Sequence, residues 1–157
     1  MQECDKERFR QVFTETYRNS RLAETKKFVQ HGSTSVFEHS LSVAYNSYRL
    51  AKFLHIKVHE RDLIRGALLH DYFLYDWHDK DHAAHRLHGF THPSRSYDNA
   101  CRDFELTDIE RNLIVRHMFP LTVVPPVCRE AWIVCLIDKV CSVSETFNLA
   151  FLRKRTV

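Results

Sequence analysis

The sequence predicts an all-α fold, built as a single compact bundle of about six or seven helices. Only three glycines occur in 157 residues, and apolar residues recur at spacings of three and four along most of the chain. That spacing places apolar side chains on one helix face, whereas few stretches show the strict alternation of a half-buried strand. A chain of this length can bury its own core, so we expect one domain over 1–157, with its core at about 36–145.

Charge and hydropathy patterning restrict the classes of partner. The formal net charge is +3, and the basic residues Arg153, Lys154 and Arg155 are crowded at the end of the sequence. A nucleic-acid-binding domain usually carries a broad basic face, so we expect no nucleic acid polymer as partner. No apolar run reaches the roughly 18 to 20 residues that span a bilayer, and the first ten residues do not resemble a signal peptide. We therefore expect a cytoplasmic protein with no membrane partner.

The cysteines carry no metal-binding or disulfide pattern. There are five, an odd number, and no two form a C-x-x-C pair. This argues against a disulfide framework and against a zinc ribbon. Cys128, Cys135 and Cys141 fall within one predicted helix, where we expect them to be small core residues.

The first two helices are marked by apolar spacing and by a capping box. Phe9, Val12, Phe13 and Tyr17 indicate a helix that ends somewhere before Gly32. Ser35 and Glu38 form an S-x-x-E capping box, which predicts a second helix beginning near Val36. Apolar residues lie on two sides of that helix, so it should be central in the bundle. His39 lies on one of these apolar stripes and should face packed protein.

A third helix from about Glu60 places two polar residues among core positions. His70 and Asp71 continue the rows formed by Leu63 and Ala67 and by Ile64 and Leu68. Since about five residues join the second and third helices, the two should be antiparallel neighbours. His39 and His70 then lie toward the same end of the helix pair and can meet.

Residues 76–91 form a polar segment that is rich in histidine and includes Gly89. We interpret it as a surface loop or short helix over one end of the bundle, and we leave open whether its histidines contact substrate or an accessory metal. These histidines are His78, His82, His85 and His88. Thr91-His92-Pro93 resembles a helix start, because proline is tolerated in the first turn.

Two more helices are predicted in the second half of the chain. Thr107 and Glu110 form another capping box, and the helix that follows should end its core stripe at His117 and stop at Phe119-Pro120. After Pro125-Pro126, apolar residues indicate a last helix buried on two sides. Asp138 lies inside it. The apolar residues of this helix include Ala131, Ile133, Val134, Ile137 and Val140.

Six metal-binding side chains thus lie on or beside core stripes, on five segments: His39, His70, Asp71, His92, His117 and Asp138. A buried unpaired charge costs several kcal/mol, so something must compensate these groups. Divalent iron, manganese, zinc, nickel or cobalt suits imidazole and carboxylate ligands, and magnesium suits carboxylates. Taken singly, a histidine on an apolar face is more often a hydrogen-bonded core residue, and a buried aspartate is often a cap or an ion-pair partner.

Together, in the order H, HD, H, H, D, these residues resemble the HD-domain superfamily. The matching segments are SVFEHSLSVA, LIRGALLHDYF, GFTHPSRSYDNA, IVRHMFP and VCLIDKVCS. The resemblance implies a first metal held by His39, His70, Asp71 and Asp138. It implies a second metal held by a bridging Asp71 with His92 and His117. His88 is an alternative to His92, but the proline after His92 fits the family pattern better.

The resemblance also implies a reaction, the hydrolysis of a phosphate ester or anhydride by a metal-bound hydroxide at a binuclear site. The expected substrate is a small phosphorylated molecule, most plausibly a nucleotide. Asp71 would be catalytic as the bridging carboxylate. Cations for the phosphoryl group can come from Lys139, which we favour, or from Arg116 or Arg95. A homodimer is left open.

One departure keeps other functions open. Many phosphohydrolases of the superfamily carry a lysine or arginine three positions after the HD aspartate, and this chain has Leu74 there. A mixed-valence di-iron oxygenase, which uses the same ligand set, is therefore an alternative. A non-catalytic nucleotide-binding module is a second alternative, although all six ligand positions are intact.

Overall fold

The computed structural model describes residues 1–78 and 87–147, and within them it confirms the all-α prediction. Six α-helices, one 3-10 helix and a small hairpin follow one another along the chain. They are α1 (Glu3–Arg18), the 3-10 helix (Leu22–Lys27), β1 (Val29–His31), β2 (Thr34–Ser35), α2 (Val36–Phe53), α3 (Glu60–Leu69), α4 (His88–Asp103), α5 (Asp108–Arg116) and α6 (Arg129–Thr146). None of the helices in these ranges is both long and apolar enough to cross a membrane.

Four helices form the centre of the bundle. α2 packs against α3 and α6, and α5 packs against the same two helices, while α1 lies on α3 and α4 lies mainly on α5. The core between them is apolar and closed to solvent. Its largest fully buried side chains include Phe9, Tyr48, Leu63, Ile64, Leu68, Leu69, Tyr72, Leu113 and Ile114.

The two predicted capping boxes are confirmed. The hydroxyl of Ser35 accepts a hydrogen bond from the amide of Glu38, and the Glu38 carboxylate accepts one from the amide of Ser35, both at 3.2 Å. Thr107 and Glu110 make the same reciprocal pair. Both helices begin where the sequence predicts, because each box satisfies two amides that the first helical turn leaves free.

The chain between α1 and α2 contains elements that were not predicted. α1 ends at Arg18, well before Gly32, and a 3-10 helix and an antiparallel hairpin occupy the intervening residues. Gly32 has φ of +57°, and a Cβ added there would lie 3.2 Å from the carbonyl oxygen of Glu145. The hairpin was missed because strands of three and two residues are too short to show alternation.

The start of α4 also departs from the prediction. The helix begins at His88, one turn before Thr91, so Pro93 lies inside it. The earlier start has a tertiary cause, because the His88 ring lies 4.7 Å from that of Phe73 and its Nδ1 lies 2.9 Å from the Tyr75 hydroxyl. These contacts stabilise one additional helical turn before Thr91, where the Thr-His-Pro pattern predicts the helix to begin.

The prediction that α6 is buried on two sides was only partly correct. Ala131, Val134 and Asp138 are buried against the bundle, and Ile133 is also buried. Val140 is 39% exposed and lies on an outer apolar face. That face also contains Trp132, Leu136 and Val143.

A buried ion pair joins α3 to α5. The Arg65 guanidinium donates through Nε and Nη2 to both carboxylate oxygens of Glu110, and Nη2 lies 2.6 Å from Oε2. The two side chains are 6% and 0% exposed. Removing one partner of such a pair leaves a buried charge with no compensation.

Replacing Arg65 with alanine should therefore lower the free energy of unfolding by about 3–5 kcal/mol. Arg61→Ala is the matched control, since Arg61 lies on the same helix and pairs with Glu15 at 2.6 Å while both side chains are more than 40% exposed. That exposed pair should be worth at most about 1 kcal/mol. Urea unfolding of both variants measures the difference, and equal losses would contradict this account.

Candidate metal centre

The structure brings all six predicted ligands together in one buried cluster. Every one of them is at most 6% exposed. They are His39 on α2, His70 and Asp71 after α3, His92 on α4, His117 after α5 and Asp138 on α6. The cluster therefore joins five segments that are far apart in the sequence.

Two helix ends point at this cluster. His70 directly follows the last residue of α3, and His117 directly follows the last residue of α5. The carboxyl end of a helix carries a partial negative charge from its free carbonyl groups. Both helix ends therefore favour a cation at this place.

Asp71 faces two separate pairs of histidines. Its Oδ1 lies 3.1 Å from Nε2 of His92 and 3.4 Å from Nε2 of His117. Its Oδ2 lies 3.4 Å from Nε2 of His70 and 3.7 Å from Nε2 of His39. The two oxygens of one carboxylate can thus serve two different ions, as a bridging ligand does.

Asp138 lies within 4 Å of only one of the two pairs, although one of its oxygens and one ring nitrogen each of His70 and His117 all lie within 4.8 Å of one another. Its Oδ1 lies 3.0 Å from Nε2 of His39 and 3.6 Å from Nε2 of His70. We therefore distinguish a first group, which consists of His39, His70, Asp138 and Oδ2 of Asp71. The second group consists of His92, His117 and Oδ1 of Asp71.

Hydrogen bonds at Nδ1 fix the tautomer of all four histidines. Each Nδ1 lies within 2.9 Å of an oxygen that only accepts, so Nδ1 carries the proton and a neutral ring keeps Nε2 as a free electron-pair donor. The accepting atoms are a carboxylate oxygen of Glu145 for His39 and the carbonyl oxygens of Ala67 for His70, His88 for His92 and Ile114 for His117.

The donor atoms lack partners that a metal ion would supply. Within the described ranges, Nε2 of His70 and Oδ1 of Asp71 are buried and have no hydrogen-bond partner. Nε2 of His92 and Nε2 of His117 face each other at 2.9 Å, so two neutral rings protonated at Nδ1 would oppose their lone pairs there, and either a proton or a metal ion relieves this. Metal–nitrogen bonds of about 2.0–2.1 Å place neighbouring ligand atoms at a similar separation. The residues fit divalent ions.

The pKa values of the metal-free cluster also show that its buried carboxylates must be balanced by positive charge. Burial alone would lower the pKa of His39, but hydrogen bonds to Asp138 and Glu145 raise it to about 9. Burial opposes ionisation of Asp71 as well, yet the neighbouring histidines hold its pKa well below the usual value. Burial lowers the pKa of His117, which keeps its ring neutral. Protonated histidines thus compensate the carboxylates where ions are absent.

A family model described as the HD domain matches residues 36–142, which is most of the sequence. The chain belongs to the HD-domain family. Searches of curated proteins and of solved structures gave no match. The dipeptide that names the family is His70-Asp71, and the matched range contains all six residues of the cluster.

Side chains outside the matched range also reach the cluster and were not predicted. Gln30, on β1, is 6% exposed and donates through Nε2 to Oδ2 of Asp71 at 2.5 Å. Glu145 holds Nδ1 of His39. No local pattern marks Gln30, because its strand was not expected. Glu145 follows Asp138 by seven residues, and this helical spacing could have indicated a shared face.

The side chains predicted to contact phosphate are Lys139, Arg116 and Arg95. Nζ of Lys139 donates to the carbonyl oxygens of His117 and Cys135, at 2.9 and 3.1 Å. Arg116 is half-buried at the end of α5, and the Arg95 guanidinium lies 4.8 Å from the centre of the Tyr75 ring. The catalytic roles of Lys139 and Arg116 stay predictions. Leu74, three positions after Asp71, packs against the core.

Two of the four loop histidines fall within the described residues. The His88 ring stacks on that of His92 at 4.7 Å and on that of Trp77 at 4.8 Å, so it supports a ligand of the second group. His78 is exposed and lies beside Asp76. His82 and His85 lie outside the described residues, as do the basic residues near the end of the sequence.

Substitutions of the ligands should separate the two groups. If each group holds one ion, Asp138→Ala removes a ligand from the first group only and His117→Ala from the second only, so each should reduce the content from two ions per chain to about one. Asp71→Ala should remove both, because both groups share this carboxylate. Elemental analysis after anaerobic purification measures the contents. Loss of both ions from Asp138→Ala would contradict separate groups.

Proposed function

We propose that this HD domain is a metal-dependent phosphohydrolase, which hydrolyses a phosphate ester or anhydride of a small molecule at a binuclear site. A nucleotide is the substrate class that we favour. The observation that carries the proposal is the position of Asp71, whose two oxygens face two separate pairs of histidines. A single-ion site would need only one of these pairs.

The first group would hold one divalent ion and the second group another, with Asp71 shared between them. Two such ions would supply an activated water molecule and neutralise charge on the phosphoryl oxygens. Imidazole and carboxylate ligands without thiolate favour iron, manganese, zinc, nickel or cobalt, and magnesium stays among the candidates.

The protein's own residues hold this arrangement in place. The backbone carbonyls at Nδ1 of His70, His92 and His117 fix each ring, so Nε2 points toward the neighbouring carboxylate. The amide of Gln30 donates to Asp71 and orients the shared carboxylate. Because all ligand side chains are buried, their electrostatic interactions are screened little by solvent.

The phosphoryl group needs cations in addition to the metal ions, and three side chains are candidates. Arg116 directly precedes His117 in the sequence, and Lys139 directly follows Asp138. Arg95 lies one helical turn after His92. Lys139 already donates to the carbonyl of His117, so its removal would also disturb a ligand. Arg116 therefore allows the cleaner test.

Arg116→Ala should lower kcat/KM for a phosphorylated substrate about tenfold or more, because a hydrogen bond to a charged group contributes roughly 1.5–3 kcal/mol. Metal content should not change. Arg111→Ala is the control, since this exposed residue on the same helix packs on Tyr97 instead. Steady-state kinetics and elemental analysis measure both effects, and equal kinetics in Arg116→Ala and wild type would remove Arg116 from the reaction.

A mixed-valence di-iron oxygenase is the second candidate, and Leu74 favours it. This side chain packs against the core in place of the cation that many phosphohydrolases carry there. The ligand set suits iron equally well. A non-catalytic nucleotide-binding module is the third candidate, which requires the cluster to bind without turnover.

Metal identity and a substrate panel discriminate between these candidates. Protein loaded with Mn²⁺ or Co²⁺ should hydrolyse at least one member of a panel of nucleotides, cyclic dinucleotides and small phosphate esters, which chromatography of the products measures. Asp71→Ala should reduce that rate to background. If every phosphate ester is inert while the iron-loaded protein consumes oxygen with a polyol or phosphonate, the oxygenase replaces the hydrolase. Nucleotide binding without either reaction would identify the binding module.

Further expectations about the setting of this activity remain proposals. They are a cytoplasmic location, a small phosphorylated partner, no nucleic acid polymer or membrane partner, and a homodimer left open.

A further inference from the structure

The four histidines of the cluster differ in what holds their Nδ1 atoms. Three of them donate to backbone carbonyl oxygens one helical turn earlier in the chain. His39 alone is held by a side chain, with Nδ1 at 2.8 Å from Oε2 of Glu145. A backbone carbonyl is neutral and cannot be removed by substitution, whereas Glu145 brings a full negative charge.

We infer that Glu145 is a positioning residue, which sets the affinity of the first metal ion through His39 and leaves the second ion unaffected. The inference rests on the proposed two-ion site but not on the reaction that the site performs. According to this inference, the affinity of the first ion depends on a side chain that is not itself a ligand, whereas the affinity of the second ion does not.

The geometry around His39 supports this role. Glu145 contacts Nδ1 of the ring, and Asp138 lies 3.0 Å from Nε2 on the opposite edge. A carboxylate at Nδ1 fixes the orientation of the ring and makes Nε2 a stronger electron-pair donor. His39 is fully buried and Glu145 is 14% exposed, so water screens this contact little.

One helix supplies both carboxylates. Asp138 and Glu145 are separated by seven residues on α6, or about two turns, and they lie on the same helix face. The hairpin packs against this part of α6, where a Cβ at Gly32 would lie 3.2 Å from the backbone carbonyl of Glu145. The last turns of α6 thus hold His39 from both ring nitrogens.

Among the residues that the structure describes, no side chain holds Nδ1 of His92 or His117 as Glu145 holds that of His39. His92 and His117 depend on the carbonyl oxygens of His88 and Ile114, which belong to their own helices. Removal of Glu145 changes neither of these contacts. The effect of a substitution at 145 should therefore be confined to the first ion.

Glu145→Ala and Glu145→Gln test the inference in protein loaded with Co²⁺ or Mn²⁺. The alanine variant should weaken the first ion by about 10- to 100-fold in a chelator competition, the range found when such outer partners of metal-bound histidines are removed. The glutamine variant should lie between alanine and wild type, because an amide oxygen still accepts from Nδ1 but brings no charge.

Two single-ion backgrounds assign the effect to one site. In His117→Ala protein, which keeps the first ion, adding Glu145→Ala should produce the full loss of affinity. In Asp138→Ala protein, which keeps the second ion, adding Glu145→Ala should change nothing. The control is Glu130→Gln, the same chemical change on the same helix, where the buried carboxylate accepts from the amide of His59 instead of a ligand.

Each outcome decides the question. If Glu145→Ala keeps wild-type affinity, or if it weakens both ions equally, Glu145 does not position the first ion. Urea unfolding of the metal-free variants shows whether they fold. If the alanine variant does not fold, the affinity of the Glu145→Gln variant tests the inference. Wild-type protein that binds fewer than two ions would overturn the proposed two-ion site itself, whereas two ions with no effect at 145 would overturn this inference alone.

Discussion

The carboxylate of Asp71 is the group on which the rest of the structure depends. It is 2% exposed, and a charge so deeply buried must be compensated within a few ångströms. Four histidines on four segments converge on it, and Gln30 donates to it from the hairpin. Each helix that contributes a ligand must therefore end, or turn its face, toward this one place. The packing of α2, α3, α5 and α6 around a common centre meets that requirement.

Much of the fold could be predicted because its signals are local. The capping boxes at Ser35 and Thr107 specify a helix start through side-chain to backbone hydrogen bonds between residues three apart. The hairpin was missed because its strands are too short, whereas two other errors have tertiary causes. α4 begins early because His88 contacts Phe73 and Tyr75, which lie far from it in sequence. Val140 is exposed because nothing in the described chain covers the outer face of α6, and an apolar residue alone does not reveal this.

The sequence predicted the ligands of the candidate site better than it predicted the groups that hold those ligands in place. His39, His70, Asp71, His117 and Asp138 interrupt apolar rows, so their burial follows from helical spacing, and His92 joins them through the order of the family pattern. Gln30 carries no such signal, since its strand is too short to recognise. The carbonyl oxygens that orient three of the rings belong to the backbone, and no residue type encodes them. These contacts emerge only from the folded geometry.

The separation of the ligands along the chain has a consequence for the lifetime of the protein. Ligands between His39 and Asp138 come together only after five segments have packed, so the unfolded chain offers no preformed site. An ion that binds only the folded chain stabilises it by mass action, in proportion to the logarithm of the free ion concentration. A higher concentration of free ion would then shift the folding equilibrium toward the folded state, and the amount of folded protein would follow the availability of the ion in its surroundings.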